Sequence, residues 1–265
     1  MEKKDFFVPE NLVSAETEEH SSPSGKYSLT IERYITQEGG WSFTKGIIKE
    51  GDKILHEVFR NYSQFWHCWL ENHPSGKPFI LYGEDYQGYS TYNLVDNKEQ
   101  VHLPEAAAKG GGWCFIEVAA NPANDKIAVI GCVWAGPESI RLFDVSSLEI
   151  LPLPLLEHEW YSLYPDTMKW EDNTNLFCIL PTDLCKYCNK NYNDMSDEEL
   201  DFSDRLEGAI LEKFPEYPDY YACQSKVSLN TLTGEITKRG TVDNSNEEID
   251  NFVKDFLSNE KTNDK

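Results

Sequence analysis

Phe79-Ile80-Leu81-Tyr82-Gly83 and Ile127-Ala128-Val129-Ile130-Gly131 are two almost continuously apolar runs, each closed by a glycine, and aligning them sets a period of 48 residues. Their surroundings recur in the same order. Ahead of the first run stand Phe65-Trp66-His67-Cys68-Trp69 and the turn His73-Pro74-Ser75-Gly76-Lys77. Ahead of the second stand Trp113-Cys114-Phe115-Ile116-Glu117-Val118 and Asn121-Pro122-Ala123-Asn124-Asp125. Tyr89–Leu94 and Gln100–Pro104 follow the first, and Ile140–Val145 and Leu148–Pro152 follow the second. A strand with one wet face alternates apolar and polar residues, whereas a strand covered on both faces need not. The glycines, the β-branched residues and the flanking Pro-Gly turns argue against buried helix.

Four strands per unit at such a period is the pattern of a propeller blade. Three further strands precede the pair, at Tyr27–Tyr34, Trp41–Ile48 and Ile54–Phe59, joined by Gly39-Gly40 and Glu50-Gly51-Asp52-Lys53 turns. A fourth unit is expected to begin near Trp160, with Leu176–Leu180 as its hydrophobic strand. It is interrupted between Pro181 and Pro218 and resumes at Tyr220–Leu229. Ser196 with Glu199 makes a capping box, so the interruption is expected to hold a helix whose Leu200, Leu206 and Ile210 rest on the β core. A second helix is predicted over Asn246–Leu257, with Ile249, Phe252, Val253 and Phe256 at helical spacing. The expected organisation is a flexible leader at 1–25, a β domain at 26–240 with a helical acidic insertion at 181–218, and a C-terminal helix and tail at 241–265. Phe6-Phe7-Val8 is the part of the leader expected to dock.

Composition narrows the function classes. A formal charge of −22 disfavours contact with a nucleic-acid backbone or an anionic membrane, both of which need Lys and Arg. It suits solubility or a basic partner. The first ten residues hold too short an apolar run for a signal peptide, and nowhere do 18 consecutive apolar residues occur. The seven cysteines are an odd number, and Cys68, Cys114 and Cys132 sit inside apolar runs. That usage fits buried free thiols in a reducing compartment, and the cytoplasm is the expected location.

Ile140-Arg141-Leu142-Phe143-Asp144-Val145, and more loosely Val227–Gly234, resemble the third strand of WD40-type repeats, with Phe143-Asp144 in the place of the family's Trp-Asp pair. At the level of blade rhythm the resemblance covers about residues 26–240. The family's Gly-His dipeptide is absent, and about four units can be counted where seven are usual. The expected fold is therefore all-β: a small or incomplete WD40-like β-propeller of about four blade-like antiparallel sheets, with a helical insertion and a C-terminal helix. The resemblance implies an interaction scaffold that does not catalyse, which is a fold-level analogy only.

Site candidates follow from position. Trp41, Tyr86, Trp113, Trp134, Trp160 and Tyr161 lie near predicted strand ends, where loops of successive units gather and aromatic side chains anchor partners. Many such aromatics pack within cores. The insertion holds ten acidic against three basic side chains between residues 189 and 219, and Asp197, Glu198, Asp201 and Asp204 mark its acidic surface. This motivates an alternative reading, an inhibitor or immunity-type protein that masks a basic surface. A small-propeller hydrolase is the third reading, with no catalytic residue to nominate.

Cys185-Lys186-Tyr187-Cys188 can present two thiolates to a zinc ion, with Cys178 and Cys223 as further candidate ligands and His158 another. Two loop thiols and two core thiols are the commoner outcome, and no cofactor is otherwise expected. Gly110-Gly111-Gly112 lacks the Lys-Ser/Thr and the helix of a phosphate loop. His67 and Cys68, adjacent on a strand, point to opposite faces and cannot form a catalytic pair. Glu84 and Asp85, in an expected hairpin loop with Tyr86, could bind a cation or a basic side chain, and a solvated turn is the commoner outcome.

Overall fold

Strand after strand forms where the sequence alternates or becomes uniformly apolar. The computed structural model describes residues 3–109, 111–133, 136, 138–161, 167–182, 184–186, 190–217, 223–242 and 245–263. Among these, sixteen strands make four antiparallel four-stranded sheets in which sequence neighbours pair. The first sheet holds β1 (Glu18–Ser21), β2 (Tyr27–Ile35), β3 (Ser42–Glu50) and β4 (Lys53–Arg60). The second holds β5 (His67–Leu70), β6 (Phe79–Gly83), β7 (Tyr89–Asn93) and β8 (Lys98–His102). The third holds β9 (Trp113–Ala120), β10 (Lys126–Val133), β11 (Ser139–Asp144) and β12 (Leu155–Tyr161). The fourth runs β13 (Lys169–Trp170), β14 (Asn175–Pro181), β15 (Gln224–Asn230) and β16 (Ile236–Thr241). Two α-helices complete the chain, α1 (Asp197–Lys213) and α2 (Glu247–Asn263). The fold is predominantly β, as the strand patterns require, and it divides into two compact units. One runs to Leu176 and takes in Asn230–Glu235; the other is Phe177–Leu229 with Ile236 onward.

In the first unit the second sheet is covered on both sides. Every residue of β6 and β7 is buried. Ile80 and Tyr82 share a core with Leu29, Ile48 and Val58 of the first sheet. Phe79 and Leu81 share another with Phe115, Ile127 and Val129 of the third. The alternation of side chains along a strand sends odd residues to one core and even residues to the other. Hydrophobicity on both faces explains why Phe79–Gly83 shows no polar period.

The turns between first and second strands repeat as well. Ser22 and Ser24 hydroxyls donate to Glu71 (2.9 and 2.7 Å), the Asn72 amide donates to Asn124 Oδ1 (2.9 Å), and the Ala123 amide donates to Asn173 Oδ1 (2.9 Å). The turns of the first three sheets thus each grip the next one's. The repeated Gly83 and Gly131 share a cause. A Cβ on Gly83 would lie 2.7 Å from Trp66 Nε1, and one on Gly131 would lie 2.8 Å from the Trp113 ring. At both positions an indole, Trp66 just ahead of β5 or Trp113 at the start of β9, occupies space a side chain would need. Between the first and second sheets, Glu99 Oε1 accepts from the Tyr82 hydroxyl (2.5 Å) and faces His56 Nε2 (3.1 Å). The His56 ring stacks on Tyr92 with centroids 4.6 Å apart.

Four expectations need correction. The leader is not an unstructured tail: Glu18–Ser21 is the first strand of the first sheet, and the first unit's β structure begins before Lys26. Its Glu-Glu-His-Ser sequence sits at a sheet edge, where polar residues are tolerated and no alternation announces a strand. Phe6 stacks on Phe43 (4.4 Å), and Phe7 meets Tyr34 and Phe59 edge-on (5.0 Å each), so the expected docking of that segment is found. Leu148–Pro152 is not a strand. Leu148 and Leu153 instead plug the core between the second and third sheets. Thr91 Oγ1 donates to the Leu148 carbonyl (2.8 Å), and the Leu153 amide donates to the Tyr89 hydroxyl oxygen (2.7 Å). The fourth strand of that sheet is Leu155–Tyr161, so Trp160 closes the third unit and does not open the fourth.

The fourth correction lies in the second unit. Ser196 caps α1 through the expected box with Glu199, and the insertion does separate the second from the third strand of its sheet. Yet Leu206 and Ile210 of α1, with Phe214 at its C-cap, pack on Ile249 and Val253 of α2, with Phe202, Phe252 and Phe256 around them. The apolar stripe therefore rests on a helix and not on the β core. Two amphipathic helices satisfy each other's stripes, an outcome that period alone cannot distinguish from docking on a sheet.

Leu81→Ala, at a fully buried position of β6, is expected to cost about 2–5 kcal/mol. Val101→Ala, at a half-exposed position of β8, should change stability by no more than ~0.5 kcal/mol. Urea unfolding of both variants checks the pair. Hydrogen bonding by His56, then by Tyr82, holds the Glu99 carboxyl below its ordinary range. A depressed carboxylate adds stability above its unfolded pKa and loses it as pH falls through the folded value. The stability gap between wild type and Glu99→Gln should therefore close on acidification, as read from unfolding midpoints across acidic buffers.

Candidate functional site

Arg60 ends β4 with its side chain 1% exposed, an unusual place for a guanidinium. Its Nε donates to the Glu84 carbonyl (2.9 Å), its Nη2 to the Asp85 carbonyl (2.8 Å) and its Nη1 to the Gln64 carbonyl. The rings of Phe65 and Tyr62 lie 5.3 and 5.9 Å from the guanidinium carbon. Burial lowers its pKa to about 10, opposed by the charges of Glu84 and Asp85, so it remains a cation at neutral pH. One side chain thus ties the 61–66 connection to the 84–88 loop. The Asn61 amide adds a bond to Asp85 Oδ1 (3.1 Å), and Ser90 Oγ donates to Glu84 Oε1 (2.5 Å). The basic side chain that this turn holds is the chain's own. A Cβ on Gly83 would approach Arg60 Nη2 to 2.5 Å, a second reason for glycine there.

The clamp positions an aromatic row. Trp41 is 54% exposed, and its Nε1 donates to the Asn61 carbonyl (3.3 Å). Its ring lies 6.2 Å from Tyr62, which meets Tyr86 edge-on at 5.0 Å. Burial first, and then the neighbouring Cys114 thiol, raise the Tyr86 hydroxyl above its ordinary range. Trp41 and Tyr86, expected at a loop-end surface, are brought together through Tyr62. Tyr62 and Arg60 were not legible as site residues, since neither sits in a patterned run.

The other aromatic candidates divide. Trp113 packs against the core, under the Arg141 guanidinium (4.5 Å) and beside Phe115 (5.3 Å). Trp160 is 7% exposed, opposite Ile140 in the third sheet. Trp160 is buried and Trp113 half-buried, both with their rings packed in the sheet interior. Tyr161 is 65% exposed on β12. Trp134 lies outside the described residues.

Beside the row, a cavity of about 550 Å³ opens among Glu16, Glu18, Arg33, Thr44, Gln64 and Trp66. Arg33 Nη1 pairs with Glu16, while its Nε is buried without a hydrogen-bond partner. Thr44 Oγ1 donates to the Tyr62 carbonyl (2.8 Å), which links the cavity wall to the row. Near Glu18, the His20 and His67 rings meet at 4.7 Å. Burial first, and the neighbouring His20 second, lower His67 to about 4, so its imidazole is neutral at physiological pH. Burial pushes Cys68 up to about 12, and its side chain belongs to the core between the second and third sheets. A neutral ring and a buried thiol on opposite faces form no nucleophile–base pair.

No protein-family model matches this chain. The uncharacterized protein R762 of Acanthamoeba polyphaga mimivirus is 34% identical to it over 149 residues, 54% of this chain and 55% of that protein. The chain thus spans about half the length of this curated relative. Among solved structures, a puromycin-hydrolyzing peptidase of Mycobacterium tuberculosis matches at 12% identity and a TM-score of 0.45, over 86% of this chain and 29% of its own. A putative 6-phosphogluconolactonase of Bacteroides uniformis ATCC 8492 matches at 12% identity and a TM-score of 0.41, over 85% of this chain and 54% of its own.

In the second unit Asp197, Glu198, Asp201 and Asp204 are all exposed on α1, and Asp201 pairs with Arg205 at 3.2 Å. Cys185 is buried, with its sulfur 3.9 Å from Ser203 Oγ. Cys178 is buried on β14 and Cys223 half-buried before β15. Cys188 lies outside the described residues. Among the described residues no group of three His, Cys, Asp or Glu side chains is placed to hold a metal. No described helix is long and apolar enough to cross a membrane.

Arg60→Met keeps the stem and removes the guanidinium, leaving three partly buried carbonyls without their donor. The expected loss is roughly 3 kcal/mol or more, and a shift in Trp41 emission should accompany it, because the 61–66 connection loses its anchor. Urea unfolding followed by tryptophan fluorescence measures both. A variant as stable as wild type would show that the clamp contributes nothing.

Proposed function

We propose that this chain is a non-catalytic protein-binding module, a small or incomplete WD40-like β-propeller that engages a partner through the loop ends carrying Trp41, Tyr62 and Tyr86. One observation carries the reading: three aromatic side chains from two successive sheets are held in a row by a buried arginine that donates to three loop carbonyls. Interfaces are enriched in such Tyr and Trp anchors, held rigid before the partner arrives. The serial four-strand sheets and the ladder of turn-to-turn hydrogen bonds support the propeller reading. The adjoining cavity, with Glu16 and Glu18 on its wall, and the chain's charge of −22 favour a basic partner.

The test is capture from native lysate on immobilised wild type beside Trp41→Ala/Tyr86→Ala. The exposed Trp41 makes a stability-neutral loss of binding the expected result: a stoichiometric partner is retained by wild type and reduced at least about tenfold by the double variant, the weight of one or two anchors. Equal retention by both rules out this face.

A second reading rests on α1, where four exposed carboxylates stand in one helix. There the chain would mask a basic surface, as an inhibitor or immunity-type protein does. Neutralising Asp197, Glu198, Asp201 and Asp204 would then weaken the partner, and added salt would do the same. A partner insensitive to both, and lost with Trp41 and Tyr86, separates the two readings.

A further inference from the structure

Cys114 and Cys132 are register partners across β9 and β10. Directly opposite residues of an antiparallel pair point to the same side of the sheet, with Cα atoms about 4.5–5.5 Å apart. That separation falls inside the range of about 4.4–6.8 Å that a disulfide spans. A β-bulge precedes the pair: Ile130 faces Glu117 and Gly131 faces Phe115, so Ile116 is the extra residue. The bulge resets the register and brings the two thiols opposite each other. Glycine is required at the crossing, since a Cβ on Gly131 would lie 2.2 Å from the Cys114 carbonyl oxygen.

We infer that Cys114 and Cys132 form an oxidisable dithiol that closes to a cross-strand disulfide under a hydroperoxide. The two differ in access, which sets their roles. Cys132 is half-buried and open to a small oxidant, whereas Cys114 is 6% exposed. The Cys132 thiolate attacks the peroxide oxygen, giving a sulfenic acid and releasing water from the hydroperoxide and the thiol proton. The Cys114 sulfur then attacks the sulfenic sulfur, the S–S bond forms, and the hydroxyl leaves as a second water with the Cys114 proton. Two thiols are oxidised by two electrons, and hydrogen peroxide is reduced to two waters. Cys114 also neighbours Tyr86, so the modification reaches the 84–88 loop. Cys68, by contrast, faces Leu81 across its own ladder.

The test uses the full chain, treated with hydrogen peroxide or with diamide, then alkylated and digested for mass spectrometry. The expected result is a peptide pair joined through Cys114 and Cys132, lighter by two hydrogens, and the loss of two alkylatable thiols that reductant restores. Cys114→Ser and Cys132→Ser should each abolish the joined pair. Differential alkylation of wild type alone gives the answer if either variant fails to fold. The inference is overturned if both thiols stay alkylatable after diamide. It is equally overturned if Cys132 proceeds to sulfinic acid while Cys114 stays free, or if the link joins other cysteines or other molecules.

Discussion

Burial of the second sheet from both sides is the constraint on which the first unit depends. Phe79 and Leu81 look one way and Ile80 and Tyr82 the other, so a five-residue strand belongs to two cores at once. At about 25 cal/mol per Å² of apolar surface removed from water, a strand covered on both faces contributes roughly twice what a half-exposed one can. The same constraint forbids polar residues along β6 and β7 except where they are satisfied. Thr91 reaches the Leu148 carbonyl, and the buried Asn93 accepts from the Val95 and Asp96 amides to close the following turn. It also explains why glycine stands at Gly83 and Gly131, where the indoles of Trp66 and Trp113 occupy space a side chain would need.

A core of this kind leaves its connections to be ordered by polar contacts, and the first unit does so differently at its two ends. At the end carrying the turns between first and second strands, short side chains suffice: serines on Glu71, Asn124 on an amide, Asn173 on the next. At the other end a single long side chain, Arg60, holds two connections through their carbonyls. Its charge is expensive to bury, and three acceptors with two flanking rings offset that cost. The aromatic row of Trp41, Tyr62 and Tyr86 is a consequence of the clamp. Binding through a rigid row loses less conformational freedom than binding through loops that must first be ordered.

The second unit shows a different economy. Its helices carry acids outward and apolar residues toward each other, so each hides the stripe of the other. The carboxylates of Asp197, Glu198 and Glu199 stand in the first turn of α1, where the helix dipole favours negative charge. The acidic surface is therefore consistent with helix stability as well as with a basic partner.

Local chemistry was legible in the sequence, and its physical reason is periodicity. The strand runs, the glycine turns, the capping box of Ser196 with Glu199, and the uniformly apolar Phe79–Gly83 all declare themselves within a few residues. So did the exclusion of His67 with Cys68, because neighbours on a strand diverge. What the tertiary structure alone decided lies in contacts between distant segments. Glu18–Ser21 becomes a strand because a sheet edge accepts it, and Leu148 becomes a core plug because Leu155–Tyr161 takes the edge. The stripe of α1 meets α2 and not the sheet. Arg60 reads as an ordinary end-of-strand arginine until Gln64, Glu84 and Asp85 turn their carbonyls toward it. The opposition of Cys114 and Cys132 depends on one extra residue, Ile116, whose bulge shifts the register. A period of two tells which residues share a face, but a single bulge changes which residues meet across the ladder, and only the paired strands fix where it falls.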